Sequence, residues 1–142
     1  MLFQAREVSK TYEAICLAPT PLPQPKWLID LPLALDWPNR PKHQVDYEIG
    51  KPSQTAVERL SQLDGYAHLR LRPITGRSHQ LRVHLAHTNL PILGDCLYAR
   101  PQPGAMRLNL HACLLAFRHP FTGKYLSFVS RPPFLNSLGF KA

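Results

Sequence analysis

Apolar and polar residues alternate in several short runs of this chain, and the runs predict strands. The cleanest is Ala67-His68-Leu69-Arg70-Leu71-Arg72. Ala67, Leu69 and Leu71 share one face, and His68, Arg70 and Arg72 the other, the pattern of a half-buried strand with a basic outer face. Residues 11–17 are rich in strand formers and end at a proline-rich loop. Residues 43–50 alternate loosely, with Val45, Tyr47 and Ile49 on one face, until Gly50-Lys51-Pro52 turns the chain. Thr55, Val57 and Arg59 predict the next strand, and residues 108–117 and 125–129 two more, joined by a turn over 119–123.

One segment follows the helical period instead. Across residues 79–88, Leu81 and Leu85 lie one turn apart with Thr88 continuing the row, while His79, Arg82 and Ala86 fall on a neighbouring face. Ser78 is the expected N-cap, placed after the turn Pro73-Ile74-Thr75-Gly76-Arg77. The sum is an α+β domain, a mostly antiparallel sheet with few helices. The chain has 15 prolines, clustered at 19–25, 38–41, 101–103 and 132–133, where they predict loops. With 142 residues, the length is that of one domain, residues 1–142.

Charge changes this picture. Seventeen Lys and Arg against nine Asp and Glu give a net charge of +8. From Gly65 to Gly94 there is no acid, but there are four arginines and four histidines. A strand–turn–helix unit of that composition predicts a positive surface suited to a polyanion, although a basic face paired with acids elsewhere in the fold gives the same composition. No apolar run approaches the ~18 residues of a membrane span, and the first residues carry no apolar signal core. Three widely spaced cysteines read as reduced thiols. Together these predict a soluble, cytoplasmic, basic protein.

Catalytic motifs of the commoner kinds are absent. There is no G-x-S-x-G, no phosphate loop and no G-x-G-x-x-G. His84 and His87 lie three apart on the helix without H-E-x-x-H, and His111 with Cys113 has no third ligand in view, so no metal site is predicted. Gly94-Asp95 reads as a turn with a structural carboxylate.

Longer motifs point further. Leu71-Arg72-Pro73-Ile74-Thr75-Gly76-Arg77-Ser78-His79-Gln80-Leu81-Arg82-Val83-His84 resembles the signature stretch of the RluA family of RNA pseudouridine synthases. Pro91-Ile92-Leu93-Gly94-Asp95-Cys96-Leu97-Tyr98, Leu110-His111-Ala112, and upstream Lys10-Thr11-Tyr12-Glu13-Ala14 are similar to the same family, in the same order. Asp36-Trp37-Pro38-Asn39-Arg40-Pro41-Lys42 resembles more narrowly the branch acting on both transfer RNA and large-subunit ribosomal RNA.

The resemblance implies a cofactor-free isomerase that flips a uridine out of an RNA stem-loop, cleaves its N-glycosidic bond and rejoins the base through carbon. It implies that Tyr12 packs on the flipped base and that Arg82 pairs with the catalytic carboxylate. It also implies that Arg77, His79 and Gln80 line the RNA-facing side, and Arg72, Arg40 and Lys42 are expected RNA contacts. One part is missing. The family's nucleophile lies in H-R-L-D-x-x-[ST]-S-G, and none of the five aspartates here has those neighbours or precedes Tyr12. The expectation is the C-terminal portion of a synthase domain, completed by a missing N-terminal segment or a second chain. By itself it would be inactive, or serve as an RNA-binding module derived from the fold.

Overall fold

The computed structural model describes residues 8–101, 107–135 and 139–140. Eight strands and one α-helix are formed among them: β1 (Ser9–Leu17), β2 (Lys26–Asp30), β3 (Leu33–Leu35), β4 (His43–Val45), β5 (Gln54–Leu63), β6 (Tyr66–Pro73), α1 (Gln80–His87), β7 (Leu110–Arg118) and β8 (Tyr125–Val129). Six strands make one sheet in the order β2-β5-β6-β1-β7-β8, with every neighbouring pair antiparallel. The remaining two, β3 and β4, pair as a small separate hairpin. The α+β expectation therefore holds.

Alternation along the strands decides what each face packs against. Ala14 and Cys16 on β1 lie on the same side as Ala67, Leu69 and Leu71 on β6, and all five are fully buried against Leu81 and Leu85 of α1. Such burial is the main favourable term holding a helix on a sheet. Ile15 points the other way and packs with Leu93, Phe134, Leu135 and Phe140.

The structure departs from the sequence expectations in definite places. Residues 43–50 do not form one strand. β4 stops at Val45, because the Asp46 carboxylate accepts the N–H groups of Glu48 and Ile49 and closes a turn. Strands β2 and β3 follow a proline cluster and lack a long alternating run, so their pattern does not announce them. Ser78 is not the helix cap. His79 takes that position in the left-handed region (φ 54°), without a side-chain cap. Thr88 does not extend the buried row. It is exposed, and its hydroxyl donates to the carbonyls of His84 and Leu85 at the helix end.

The basic unit from Gly65 to Gly94 is also less open than its composition suggests. His68 is buried and bonded to Glu13 at 2.6 Å. Glu58 lies 3.3 Å from Arg70 and 4.0 Å from Arg72. Acids distant in sequence thus meet this strand's cations, and the basic outer face of β6 is a paired one. All three cysteines are free thiols, and no described helix is long and apolar enough to cross a membrane.

Candidate functional site

The turn between β6 and α1 is built by one side chain. Gln80 is 3% exposed, and its amide is fully used. Its Oε1 accepts the Thr75 hydroxyl (2.7 Å) and the Arg77 N–H (3.1 Å), while its Nε2 donates to the Gln54 carbonyl (2.8 Å) and the Thr55 hydroxyl (2.9 Å). An amide has two donors and two acceptor sites, so nothing is left for a ligand. Gln80 shapes the turn that displays Arg77 and is not itself an RNA-facing donor, which corrects the expectation from sequence. The chain of bonds continues inward. Thr55 donates to His84 Nδ1 (2.9 Å), and His84 Nε2 donates to the Leu31 carbonyl (2.9 Å). Burial lowers the His84 pKa, against the smaller pull of the Leu31 carbonyl, so the ring is neutral and accepts at Nδ1.

Beside this turn lies a cleft of about 210 Å³. Its walls include Tyr12 from β1, Arg77 and His79 from the turn, and Gln80 and Arg82 from α1. Five residues singled out from sequence thus meet at one place. Tyr12 reaches it because β1 pairs with β6 so that Tyr12 stands opposite Leu71, at the end of β6 from which the turn departs. Arg72, one residue later, points to the other side of the sheet toward Glu58, so it does not belong to the cleft.

Arg82 carries the clearest surprise. With no family nucleophile in the chain, its guanidinium is bidentate to Asp95: Nη2 to Oδ1 at 2.6 Å and Nε to Oδ2 at 2.9 Å. Asp95 is 2% exposed, and Oδ1 also accepts the N–H groups of Leu97 and Tyr98. Burial pushes its carboxyl pKa up, but the Arg82 and backbone hydrogen bonds together with the Arg82 charge outweigh that and hold it below the ordinary range. Arg82 is raised in turn, chiefly by its hydrogen bonds to Asp95. The Gly94-Asp95 turn is therefore the seat of the cleft's arginine.

Tyr98 ties the surroundings together. Its hydroxyl accepts the His43 N–H (2.8 Å) and donates to His79 Nδ1 (2.7 Å). Burial, with the charge of Arg82 and the neighbouring His43, lowers the His79 pKa and favours the neutral, accepting ring. The cations of Arg82 and Lys42 lie 5.3 and 5.6 Å from the Tyr98 ring centre. Lys42 therefore stands at the edge of the network. Arg40 sits farther out, its guanidinium 4.0 Å over the exposed Trp37 ring. Sequence reasoning passed over Tyr98 and His43, whose only local signal was the presence of Tyr98 in a matched motif.

Comparison with known proteins settles the kinship. The family model for RNA pseudouridylate synthase matches residues 1–87. The chain belongs to this family. It is 50% identical over 129 residues to the dual-specificity RNA pseudouridine synthase RluA of Yersinia pestis, covering 89% of this chain and 62% of that one. The Escherichia coli K12 protein of the same name is 49% identical over 130 residues, covering 89% of this chain and 58% of that one. Among solved structures, human RNA pseudouridylate synthase domain containing 1 superposes with a TM-score of 0.79 at 27% identity, covering 96% of this chain and 59% of that one. The chain thus spans about 60% of the length of the curated relatives it matches. A larger cavity of about 560 Å³ lies between Leu22 and β2, but Asp30 is its one ionisable lining residue, and it suits no polyanion. The small cleft is the one that brings Tyr12 and Arg82 together.

Proposed function

We propose that this chain is the C-terminal portion of a pseudouridine synthase catalytic domain. On this reading it binds uridine-containing stem-loops of ribosomal or transfer RNA in the cytoplasm, needs no cofactor, and does not isomerise uridine unaided. The observation carrying this reading is the meeting of Tyr12, Arg77, His79 and Arg82 around one cleft in a chain of the RNA pseudouridylate synthase family. The cleft's volume of about 210 Å³ falls below the ~300–1,000 Å³ of typical small-molecule pockets, and suits one base taken out of its stack. Tyr12 offers a ring face to that base. Arg82, held in place by Asp95, offers a fixed positive charge for a carboxylate or a phosphate. The second half of the reading rests on the absence of H-R-L-D-x-x-[ST]-S-G from the sequence. That absence equally favours a module that binds RNA without altering it.

The test pairs two measurements on the pure chain with transfer-RNA and large-subunit ribosomal stem-loops. Fluorescence anisotropy is expected to give saturable, salt-sensitive binding that weakens about tenfold in Arg77→Ala. Mass spectrometry of the incubated RNA is expected to show no pseudouridine. Absence of binding at low salt overturns the RNA reading, and pseudouridine formed by the chain alone overturns its inactivity. Arg77 is the better probe, since removing Arg82 strands a buried carboxylate and threatens the fold.

A further inference from the structure

A second cavity, of about 460 Å³, adjoins the cleft on the far side of the 76–78 turn. Gly76 and Arg77 line both spaces, so the two share a wall. The wall is completed by two imidazoles: the His79 ring, in the cleft, meets the His43 ring, in the second cavity, edge to face at 5.3 Å. Arg77 is anchored there by its guanidinium, whose Nη2 and Nε donate to the Pro52 carbonyl at 3.1 and 3.3 Å.

The lining combines two chemistries. Leu33, Leu35 and Ile49 supply apolar surface, and Lys51 and Arg77 supply positive charge. Ile49 is 75% exposed and Leu35 40%, so both present apolar surface that a ring could cover. His43 Nδ1 is buried with no hydrogen-bond partner, a condition met by no other side-chain polar atom among the described residues. A buried polar atom left unpaired costs stability. Asp36, Asp46 and Glu48 belong to the same segment, but none of them forms an ion pair with Lys51 or Arg77 among the described residues.

Apolar walls for a ring face and cations for phosphate are what a nucleotide requires. We propose that this cavity is a second nucleotide subsite, which takes the base flanking the one in the Tyr12 cleft and lays the intervening phosphate against Arg77. The proposal rests on the RNA reading of the cleft. It adds that recognition extends over two unstacked nucleotides, read by the β3–β4 hairpin.

The test uses the full chain and RNA stem-loops in which each loop nucleotide in turn is made abasic. Loss of a base that fills the subsite is expected to weaken binding about tenfold, the scale of one stacked base. Ile49→Ala, at an exposed position that the fold does not need, is expected to cost the same and to become indifferent to that abasic position. His43→Ala is expected to behave alike. The subsite is overturned if Ile49→Ala binds intact RNA as the unaltered chain does, or if its loss simply multiplies with that of every abasic position. When Arg77→Ala still weakens binding in that case, the cleft reading survives and the subsite alone falls. No binding of intact RNA overturns both. A loss of binding to a protein partner, with RNA affinity unchanged in Ile49→Ala, assigns the hairpin to protein contact and overturns the nucleotide subsite.

Discussion

Arg82 and Asp95 show how a single pairing changes the meaning of two residues. Asp95 is wholly buried and Arg82 mostly so, with side-chain exposures of 0% and 17%. Breaking such a pair from one side leaves a charge without a partner, at a cost of about 3–5 kcal/mol. Asp95→Asn keeps the shape and some of the hydrogen bonds, so its expected loss is smaller, about 2 kcal/mol in urea unfolding. It is also expected to loosen Arg82 and weaken RNA binding beyond what the stability loss explains. Unchanged RNA affinity in a folded Asp95→Asn protein would contradict the positioning role. Gly94 is bound to the same device. It adopts φ +81°, and a Cβ placed there would stand 1.9 Å from the Arg107 carbonyl oxygen. Gly94→Ala is therefore expected to destabilise the chain by more than 2 kcal/mol, because both the backbone conformation and the contact forbid a side chain. A thermal midpoint within one or two degrees of the original would refute this.

At the scale of elements, the helix is locked to the sheet by polar bonds as well as by Leu81 and Leu85. The buried chain Thr75–Gln80–Thr55–His84–Leu31 joins the turn, α1, β5 and the residue after β2. Its fit depends on a neutral His84. Burial lowers that pKa from its ordinary 6.5, so below that pH the unfolded chain takes up a proton that the folded chain resists. The stabilisation is complete above pH 6.5 and is lost as the pH falls toward the lowered folded value. Chemical denaturation between pH 7.5 and about 5 is expected to show stability declining with acid. In His84→Gln that decline is expected to flatten, at a lower overall stability. An equal pH slope in both proteins would place the proton uptake elsewhere. β6, read from its alternation, and β1, β7 and β8 are visible in the sequence within two residues. β2 and β3 are not, because their short segments sit beside prolines and acquire their pairing from other segments, β2 from β5 more than twenty residues away and β3 from β4 across its own hairpin.

For the molecule as a whole, a charge of +8 does not translate into one open basic face. Glu13, Glu58 and Asp95 meet His68, Arg70, Arg72 and Arg82 across strands and turns. Five cations stand around the cleft and the β3–β4 hairpin: Arg77, Lys10, Lys51, Lys42 and Arg40. If three to five phosphates are met there, the logarithm of the RNA binding constant is expected to fall with the logarithm of salt with a slope of about −2 to −4. Arg72→Ala is expected to leave that slope unchanged, whereas Arg77→Ala reduces it by about one. Equal effects of the two substitutions would put RNA on the wrong face of the sheet. By itself the sequence determined the period of each strong strand, the position of the helix and its turn, and the kinship carried by residues 71–84, since all three are written in near neighbours. Only the tertiary structure decided that Gln80 is spent inside the turn, that Arg72 turns away from Tyr12, and that Arg82 rests on Asp95. Those outcomes depend on which distant acid, carbonyl or hydroxyl the fold brings within hydrogen-bond reach, and no local pattern encodes that distance.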